Sequence, residues 1–395
     1  MEKLPEWLSE DFILDFVKDN ETPAYIYSKE SIKNQIEKIY KNTNRKDFVL
    51  RYAMKANTHP DILKYMDELG LSFDASSEYE ALHAIDQNID PKKITLSSQI
   101  FTDHNMKKCV DAGVEFTATS LYQLETYGKN FSGKEIGILL KPGGGRGSNN
   151  KLTTGGPNAS FGIWHEYMDK VLEIVNKYNL TISRIHMHIG SGNDASVWVQ
   201  SAHLALSFAE IFKSVKIINL GGGFKIARVE KGKNANMQEI MPNICKIVFD
   251  WEIKNNRKLV LEIEPGAFLV ANAGVIISKV CDIVDTGNSG HNFLRLDKGM
   301  TEILRPMLYG AQHPVSLIPH NKRTIEENKS YIVVGHGCES GDTLTTVDED
   351  PDSFKEIVLP KAEIGDYIVI GGTGAYCAVM SAKGYNMFPI AKEYI

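Results

Sequence analysis

Long apolar runs are absent from this sequence. No segment of its 395 residues approaches the ~20 consecutive apolar residues that a membrane-spanning helix needs. The N-terminal segment, MEKLPEWLSEDFILDFVKDN, is acidic and lacks the basic start and apolar centre of a signal peptide. We therefore expect a cytoplasmic protein with no membrane partner.

Cysteine is scarce and has no pattern. The five cysteines are Cys109, Cys245, Cys281, Cys338 and Cys377. Their number is odd, they are widely spaced, and no CxxC pair or Cys/His cluster occurs. This spacing excludes a disulfide framework and a structural zinc site, so we predict no metal.

Positive charge is not concentrated anywhere in the chain. The formal net charge is −6, and no tract of Lys and Arg is available to neutralise a phosphate backbone, so we expect no nucleic-acid partner. Hydrophobic residues make up 43%, which is ample for a core. At ~150 residues per domain the length suggests two or three domains, with α/β barrels as the usual exception.

Eight segments rich in apolar and β-branched residues follow one another between residues 48 and 266. They are FVLRYAMKA (48–56), LSFDAS (71–76), ITLSS (94–98), EFTATS (115–120), EIGILLK (135–141), TISRIHMHIG (181–190), KIINLGGG (216–223) and KLVLEIEPG (258–266). Helical periodicity lies between them, for example in HPDILKYMDELG, EYEALHAIDQ, TDHNMKKCVDAG and HEYMDKVLEIVNKYN. This alternation predicts an α/β fold built on a (β/α)₈ TIM barrel.

The interval between the fifth and sixth predicted strands is long. It contains KPGGGRGSNNKLTTGGPNASFG (141–162), which is rich in Gly, Asn and Ser. This composition predicts an extended loop at the barrel mouth, or alternatively a flexible insertion, and does not separate the two.

After about residue 275 the pattern changes to strands separated by turns. The segments are VIISKVCDIV, HNFLRLDKG, SYIVVGHGC and GDYIVIGGTGAY, and no long helix is indicated until Ala375–Ala382. The strand-like PAYIYS (23–28) is expected to return to this part. We therefore predict a barrel over residues 30–275 and a mostly β domain from residues 1–29 and 276–395.

Lys55 lies in the first predicted barrel strand, among apolar and small residues. A lysine desolvated there loses part of its proton affinity, and its amine becomes a usable nucleophile for Schiff-base chemistry with an aldehyde cofactor. A lysine that snorkels or forms an ion pair at the strand end is the ordinary alternative.

Other polar or glycine-rich features occupy strand ends, where TIM-barrel enzymes carry their functional groups. Asp74 ends the second strand, His186 and His188 the sixth, Gly221–Gly223 the seventh, and Glu264 the eighth. Successive glycines expose backbone N–H groups that can bind a phosphate, with Ser191 as a further ligand, although a plain turn explains them equally well. His188 is placed to stack on an aromatic cofactor, or is an ordinary core histidine.

Glu264 precedes Pro265 and Gly266, so its carboxylate is held in place. A salt bridge at the barrel rim is one explanation. A pyridinium electron sink, however, needs an anion beside its ring nitrogen. The lysine, the phosphate site, the imidazole and this carboxylate together indicate pyridoxal 5′-phosphate as the cofactor.

Several motifs in one order resemble the fold-type III, alanine-racemase-like pyridoxal phosphate enzymes, and within them the diaminopimelate and ornithine decarboxylases. These are YAMKAN, FDASSEYE, HMHIGSG, NLGGGF, EIEPG, RPMLYGAQH, CESGDTL, GAY and YN, spread over nearly the whole chain. HMHIGSG and TGGPNASFGIW look most like diaminopimelate decarboxylases.

The resemblance implies a role for each matching residue. Lys55 would carry the cofactor as an internal aldimine, His188 would stack on its ring, and Glu264 would pair with its ring nitrogen. The implied further cofactor ligands are Asp74 beside Lys55 and, for the phosphate, Ser191, Gly221, Gly222, Gly223, the amides of Gly266 and Ala267, and Tyr376. The implied substrate ligands are Arg305 and Tyr309 for a distal carboxylate, Glu339 for a distal amine, and Asp342.

The resemblance also implies that Cys338 reaches in from a second subunit and protonates the carbanion left after CO₂ departs. A homodimer with shared active sites follows. The expected reaction is decarboxylation of an amino acid, converting meso-diaminopimelate to L-lysine and CO₂.

The chain departs from the family pattern at two places. EPGA replaces EPGR, so Ala267 stands where an arginine binds the phosphate or a substrate carboxylate, and GHGCES replaces GP-x-CES, which adds His336. Without an arginine at this position, any substrate whose carboxylate depends on that arginine binds more weakly. Ornithine, lysine or a citrate–amino-acid siderophore intermediate is therefore an alternative substrate.

Two rival functions share the fold and the cofactor. Amino-acid racemases of this fold lack the CES loop, which this chain has, and they usually use a tyrosine base. A non-catalytic pyridoxal-phosphate-binding regulator would not need Lys55 and Cys338, which are both present.

Overall fold

A computed structural model describes residues 3–141 and 160–395 of the chain. Its α-helices are α1 (Glu10–Asp19), α2 (Lys29–Lys41), α3 (Pro60–Glu68), α4 (Glu78–Asp86), α5 (Asp103–Ala112), α6 (Leu121–Asn130), α7 (Met168–Lys177), α8 (Ala195–Ile211), α9 (Met237–Asn255), α10 (Ala267–Val270) and α11 (Arg305–Tyr309). Residues 142–159, most of the predicted mouth loop, lie outside the described residues.

The strands, in chain order, are as follows. They are β1 (Ala24–Tyr27), β2 (Phe48–Ala53), β3 (Ser72–Ala75), β4 (Ile94–Leu96), β5 (Glu115–Ala118), β6 (Glu135–Lys141), β7 (Ile163–Trp164), β8 (Thr181–Met187), β9 (Ile217–Asn219), β10 (Val260–Ile263), β11 (Gly274–Asp285), β12 (Asn292–Leu296), β13 (Val315–Ile318), β14 (Asn328–Val334), β15 (Thr346–Val347), β16 (Asp350–Phe354), β17 (Ile357–Pro360), β18 (Tyr367–Ile370) and β19 (Lys392–Tyr394).

The chain folds into two compact units. The barrel unit comprises residues 34–225 and 233–268, and the β unit comprises residues 1–33, 226–232 and 269–395. The sequence-based boundaries were 29/30 and 275/276. The short segment 226–232, which follows the glycines at 221–223, thus belongs to the β unit although it interrupts the barrel sequence.

The barrel unit contains a closed parallel barrel, as predicted. Its strands run in the order β5, β4, β3, β2, β10, β9, β8, β6, and pairing of β5 with β6 closes the ring. All eight predicted segments form these strands. Several are shorter at the C-terminal end than predicted, because the residues there leave the ladder for the loops that carry functional groups.

Side-chain caps place the barrel helices directly after the strands. The hydroxyl of Ser77 accepts from the amide of Glu80 at the start of α4. Thr102 caps α5 and Ser120 caps α6 in the same way. Because a hydroxyl at the cap satisfies an amide with no intrahelical partner, each strand turns into its helix within a few residues.

A buried ionic layer fills the barrel interior beneath the end of β10. Glu262 accepts from Arg51 Nη2 at 2.7 Å and from Arg184 Nε at 3.1 Å. Burial would raise the pKa of Glu262, but the two arginines outweigh it and lower this pKa to about 2. Asn219 Nδ2 also donates to Glu262, at 3.1 Å, which links this layer to the strand ends above it.

The β unit contains one mixed sheet. The order is β13, β18, β11, β12, β14, β17, while β1 pairs with both β11 and β19. Strand β1, from the predicted PAYIYS segment, is antiparallel to β11 with Ala24 opposite Ile277. Helix α1 contributes Ile13 to an apolar core that includes Val275 and Val369.

One expectation for the β unit is wrong: Ala375–Ala382 does not form a helix but a series of turns. Tyr376 has a φ of 57°, in the left-handed region, and a chain that enters this region cannot continue a right-handed helix. Strands β13, β15, β16, β17 and β19 were not predicted. In the described ranges, no helix has both the length and the apolar character to cross a membrane.

Candidate active site

Lys55 lies in a single 3₁₀ turn, Met54–Ala56, immediately after β2. The expectation that Lys55 is desolvated inside a strand is wrong, because its side chain is exposed while Met54 and Ala56 are buried. Strand pairing stops at Ala53, and the turn directs the apolar neighbours inwards and the lysine outwards. Lys55 and His188 line one cavity of about 570 Å³.

The cavity wall on the side of β3 and β4 is rich in hydroxyl groups. Its hydroxyl-bearing residues are Ser76, Ser77, Tyr79, Ser97, Ser98 and Thr102. Phe161, in the predicted SFGIW motif, lies on the same cavity. An exposed amine in such a polar mouth is accessible to a small-molecule carbonyl.

Asp74 is buried at the end of β3. Its Oδ1 accepts a hydrogen bond from Ser97 Oγ at 2.9 Å. Burial and the nearby Glu264 carboxylate raise the pKa of Asp74 from 3.8 to about 7, against the opposing effects of Lys55 and His186. Asp74 is therefore partly protonated near neutral pH, whereas Glu264 is ionised.

This raised pKa predicts a pH-dependent effect of Asp74→Asn. The folded state holds the Asp74 proton up to about pH 7 and the unfolded state only to about 3.8, so Asp74 costs stability increasingly across this window. Asn, which resembles the protonated acid, removes that cost. Cofactor-free Asp74→Asn protein should gain roughly 1–3 kcal/mol over wild type at pH 8 but little at pH 4.5 in urea unfolding. An equal difference in unfolding free energy between the two proteins at both pH values would contradict the raised pKa.

His188 follows β8 and is a neutral imidazole. The backbone N–H of Gly222 donates to its Nδ1 at 3.4 Å, so that nitrogen carries no proton. Desolvation, with the charges of Lys55 and His186, lowers the pKa of His188 to about 3. A flat, uncharged ring beside Lys55 can stack on an aromatic cofactor.

Glu264 is buried just past β10 and is held by two side chains. Its Oε1 accepts from Asn219 Nδ2 at 2.5 Å, and its Oε2 lies 3.1 Å from His186 Nε2. Burial would raise the pKa of Glu264, but His186 and Asn219 outweigh it and lower this pKa. The result is a fixed, buried carboxylate anion at the end of β10.

The glycine segments 190–192 and 221–223 pack against each other. The amide of Gly192 donates to the carbonyl of Gly223 at 2.9 Å. A Cβ at Gly222 would lie 2.2 Å from the carbonyl oxygen of Glu264. Asn219 Oδ1 accepts from the amide of Gly221 at 2.8 Å, which fixes the start of the second segment. Only glycine permits this approach, which brings the backbone of the two segments together beside Ser191.

Gly223→Ala should destroy this arrangement, whereas Gly192→Ala should be tolerated. Gly223 has a φ of +81°, and a Cβ there would lie 1.7 Å from the carbonyl oxygen of Gly190. A Cβ at Gly192 meets nothing within 4 Å. We expect Gly223→Ala to lose several kcal/mol of stability, about 3 or more, and most bound pyridoxal phosphate. Equal cofactor retention and unfolding midpoints in the two variants would contradict this geometry.

The barrel residues fit the chemistry of pyridoxal 5′-phosphate. Lys55 offers an exposed amine for its aldehyde, Glu264 a carboxylate for its ring nitrogen, and His188 a neutral ring. The side-chain-free backbone at 221–223, with Ser191, suits its phosphate, although the amides of Gly221 and Gly222 donate to Asn219 and His188 here. Gly266 packs with its potential Cβ 3.1 Å from the carbonyl oxygen of Ala53. No cluster of three or more His, Cys, Asp or Glu that could hold a metal occurs in residues 3–141 and 160–395.

The other predicted site residues lie in the β unit. Cys338 and Glu339 are exposed in the loop after β14, on a cavity of about 960 Å³ within that unit. Asn386 Oδ1 accepts from the amide of Cys338 at 2.8 Å. Arg305 and Tyr309 begin and end α11 and are partly exposed, as is Tyr376.

Asp342 is buried rather than open to a ligand. Its carboxylate accepts from the amides of Met300 at 2.7 Å and Gly337 at 2.8 Å. A Cβ at Gly335 would lie 2.2 Å from its Oδ2, so glycines enclose it. This contact shapes the loop that carries Cys338.

His336, the departure from the family pattern, is also held within the β unit. Its Nε2 lies 2.6 Å from Thr301 Oγ1, whose proton goes to Glu302. Its ring stacks on Phe388 with 3.6 Å between centroids. These contacts of His336 hold the start of the loop that carries Cys338.

Sequence reasoning missed three residues that organise these surroundings. Asn219 precedes the three glycines and links Glu262, Glu264 and the amide of Gly221. Ser97, at the end of the predicted third strand, binds Asp74. Arg228 follows the glycines by five residues in a segment that gave no sequence signal. Position beside a motif could have drawn attention to Asn219 and Ser97.

Comparisons with known proteins agree on one group. The family profile described as pyridoxal-dependent decarboxylase, pyridoxal binding domain, matches residues 29–271. The chain is 31% identical to a diaminopimelate decarboxylase of Buchnera aphidicola, over 98% of this chain and 92% of that protein. It is 29% identical to one of Streptomyces coelicolor, over 100% and 88%.

Solved structures also resemble this chain over nearly its whole length. A crystal structure of a diaminopimelate decarboxylase superposes with a TM-score of 0.91 at 27% identity, covering 98% of this chain and 92% of that one. The Helicobacter pylori diaminopimelate decarboxylase complexed with L-lysine has the same fold, with a TM-score of 0.84 at 24% identity, covering 96% and 93%.

Proposed function

Because the chain belongs to the pyridoxal-dependent decarboxylase family, whose pyridoxal-binding domain it contains at residues 29–271, we propose that it converts meso-diaminopimelate to L-lysine and CO₂. The observation that carries this proposal is similarity to diaminopimelate decarboxylases over nearly the full length of both proteins. The likeness thus includes the β unit, where the predicted substrate ligands lie, as well as the barrel that binds the cofactor.

The barrel residues prepare the site for decarboxylation. When bound, pyridoxal phosphate accepts the electron pair that loss of CO₂ leaves on the substrate. Lys55 would hold the cofactor through its aldehyde and would release it to the substrate amine. Glu264 would hold negative charge beside the cofactor's ring nitrogen, and neutral His188 would stack on the ring without adding charge. Asp74, near Lys55, exchanges a proton close to neutral pH.

Phosphate binding is assigned to backbone and hydroxyl groups. The proposed ligands are Ser191, the amides of Gly221, Gly222, Gly223, Gly266 and Ala267, and Tyr376. The close packing of the glycine segments favours this assignment, because no side chain stands between their backbone and an anion. The amides of Gly221 and Gly222 donate to Asn219 and His188, so they would exchange those acceptors for the phosphate.

The β unit supplies the substrate ligands and the proton donor in this proposal. Arg305 and Tyr309 bind the distal carboxylate, Glu339 binds the distal amine, and Cys338 protonates the reacting carbon. Support for Cys338 comes from its exposed thiol in a loop anchored by Asn386 and Asp342. We place this thiol in the active site of a second copy of the chain, which makes the protein a homodimer in the cytoplasm. Asp342 shapes the loop rather than touching substrate.

Ala267 supports a second candidate substrate class. The arginine of the family's EPGR motif is missing, so a substrate with another distal group, such as ornithine, lysine or a citrate–amino-acid siderophore intermediate, fits this change. Such substrates would use the same barrel residues.

The proposal is tested by CO₂ release from a substrate panel. The cofactor-loaded protein is given meso-diaminopimelate, L- and D-lysine, L- and D-ornithine, arginine and citryl-ornithine, with heat-denatured protein as the blank. We expect turnover of meso-diaminopimelate, with L-lysine as the product. If only another compound of the panel is decarboxylated, that compound is the substrate. Racemisation without release of CO₂ would reject decarboxylation.

A further inference from the structure

Two arginines of the β unit are anchored to adjacent backbone carbonyls. Arg228 Nε donates to the carbonyl of Gly372 at 2.8 Å. Arg305 Nη1 lies 2.8 Å from His313 Nε2, and His313 Nδ1 lies 2.9 Å from the carbonyl of Gly371. Residues far apart in sequence are thereby collected beside one short segment after β18.

The hydrogen bonds determine the protonation of His313. A carbonyl oxygen only accepts, so His313 Nδ1 carries the proton, and Nε2 accepts from Arg305. Desolvation and the two arginines lower the pKa of His313 well below its usual range. His313 is therefore a neutral spacer that orients Arg305 without neutralising it.

The aliphatic part of the Arg228 side chain packs against the backbone as closely as its guanidinium does. A Cβ at Gly372 would lie 2.8 Å from Arg228 Cγ, and Gly372 has a φ of +66°. Arg228 Nη2 also reaches the carbonyl of Ala375 at 3.4 Å. The guanidinium is thus held in place by backbone, and its Nη1 has no hydrogen-bond partner in residues 3–141 and 160–395.

Neither guanidinium has a counter-ion among the residues that the structure describes. Within the described part of the chain, no carboxylate lies within 4 Å of Arg228 or Arg305. Desolvation and the charge of Arg305 lower the pKa of Arg228 to about 9, and desolvation lowers the pKa of Arg305. Two partly enclosed like charges are costly unless an anion joins them.

We propose that Arg228 and Arg305 together bind the distal carboxylate of the substrate, so that Arg228 is a specificity-determining residue of this chain. The inference rests on the proposed function and deepens it: the substrate class is a diamino acid with two carboxylates, in spite of Ala267. The bound carboxylate is the one that remains in L-lysine after CO₂ leaves.

The cofactor phosphate is the other possible oxyanion. The carboxylate is favoured because two planar guanidiniums match its two oxygens in a fork, while the barrel already offers the phosphate a set of backbone amides. The two sources differ in outcome, since loss of a phosphate ligand releases cofactor and loss of a carboxylate ligand does not.

The test compares L-lysine with cadaverine, which lacks the carboxylate but keeps both amines. Dissociation constants for both are measured by calorimetry on cofactor-loaded wild type, Arg228→Gln, Arg228→Lys and a control, Lys322→Gln. Lys322 is a cation of the same unit whose partner is the exposed Asp11. Cofactor absorbance and thermal unfolding verify that each variant is loaded and folded.

We expect Arg228→Gln to weaken L-lysine about tenfold or more and cadaverine less than twofold, with Lys322→Gln unchanged. Arg228→Lys, which keeps the stem and the charge but loses the fork, should weaken L-lysine by a smaller factor. If Arg228→Gln does not fold, the Arg228→Lys comparison decides. Equal weakening of both ligands, no weakening, release of cofactor, or a wild type that does not prefer L-lysine would each overturn the proposal.

Failure of the proposed function would look different. Wild-type protein that prefers L-lysine to cadaverine through Arg228, but releases no CO₂ from meso-diaminopimelate, would reject the reaction and leave the carboxylate site in place.

Discussion

Lys55→Ala protein should release no detectable CO₂ from any amino acid and should lose the yellow absorbance of lysine-bound pyridoxal phosphate. The reason is chemical: without the amine at position 55, the cofactor aldehyde has no covalent partner in the barrel and the substrate amine has no bond to exchange with. Absorbance spectra and CO₂ release on purified protein measure both effects. The expected loss is the largest that a single substitution in this chain can cause, because binding and chemistry both depend on this amine.

Lys64→Ala is the matched control for this variant. Lys64 is an exposed lysine on α3, the helix that follows Lys55, and contributes nothing to the cavity. Its replacement should leave spectrum and rate unchanged. A Lys55→Ala protein that keeps the absorbance would show that another amine binds the cofactor and would remove the central assignment.

Cys338→Ala should lower kcat for decarboxylation by about 100-fold or more while cofactor absorbance is retained. A positioned acid contributes roughly 10²–10⁴-fold to a step that needs a proton, and alanine cannot supply one. Cofactor binding should survive, because every proposed cofactor ligand except Tyr376 belongs to the barrel unit and Cys338 is not among them. Steady-state rates with absorbance measured on the same samples separate the two effects.

Cys281→Ala provides the control, since Cys281 is an exposed thiol of the same unit on the same 960 Å³ cavity. We expect it to leave kcat nearly unchanged. A Cys338→Ala protein with wild-type kcat would remove Cys338 as the proton donor.

Shared active sites predict a further outcome for Cys338. Mixing Lys55→Ala with Cys338→Ala protein should restore part of the activity, because a mixed dimer contains one site with both residues intact. Verified mixed dimers without recovered activity would show that each site draws on one chain alone.

The barrel was predictable because its signal is local and repeated. Each strand is an apolar, β-branched run followed by an amphipathic helix, and eight repeats leave little choice of fold. Strand ends were less predictable: β2 stops at Ala53 rather than at position 56, since a 3₁₀ turn competes with the ladder there. The turns at 375–382 were mistaken for a helix because small residues and Tyr376 gave no sign of a left-handed backbone.

The candidate site was predictable only in part. Lys55, His188, Glu264 and the glycines at 221–223 stand at strand ends, where sequence position implies convergence. The environment of each was not predictable, because burial and partners come from other strands. Lys55 is exposed rather than desolvated, and Asp74 owes its raised pKa first to burial and then to Glu264, 190 positions later in the chain.

The sequence by itself determined the fold class, the cofactor chemistry and the family of this protein, since these depend on residue types at fixed spacings along one chain. The tertiary structure decided which groups are charged and which are neighbours. It placed residues 226–232 in the β unit, joined Arg228 to the segment that anchors Arg305, and enclosed Asp342 among glycines. Charge state and proximity depend on desolvation and on contacts between distant segments, and no local pattern encodes either.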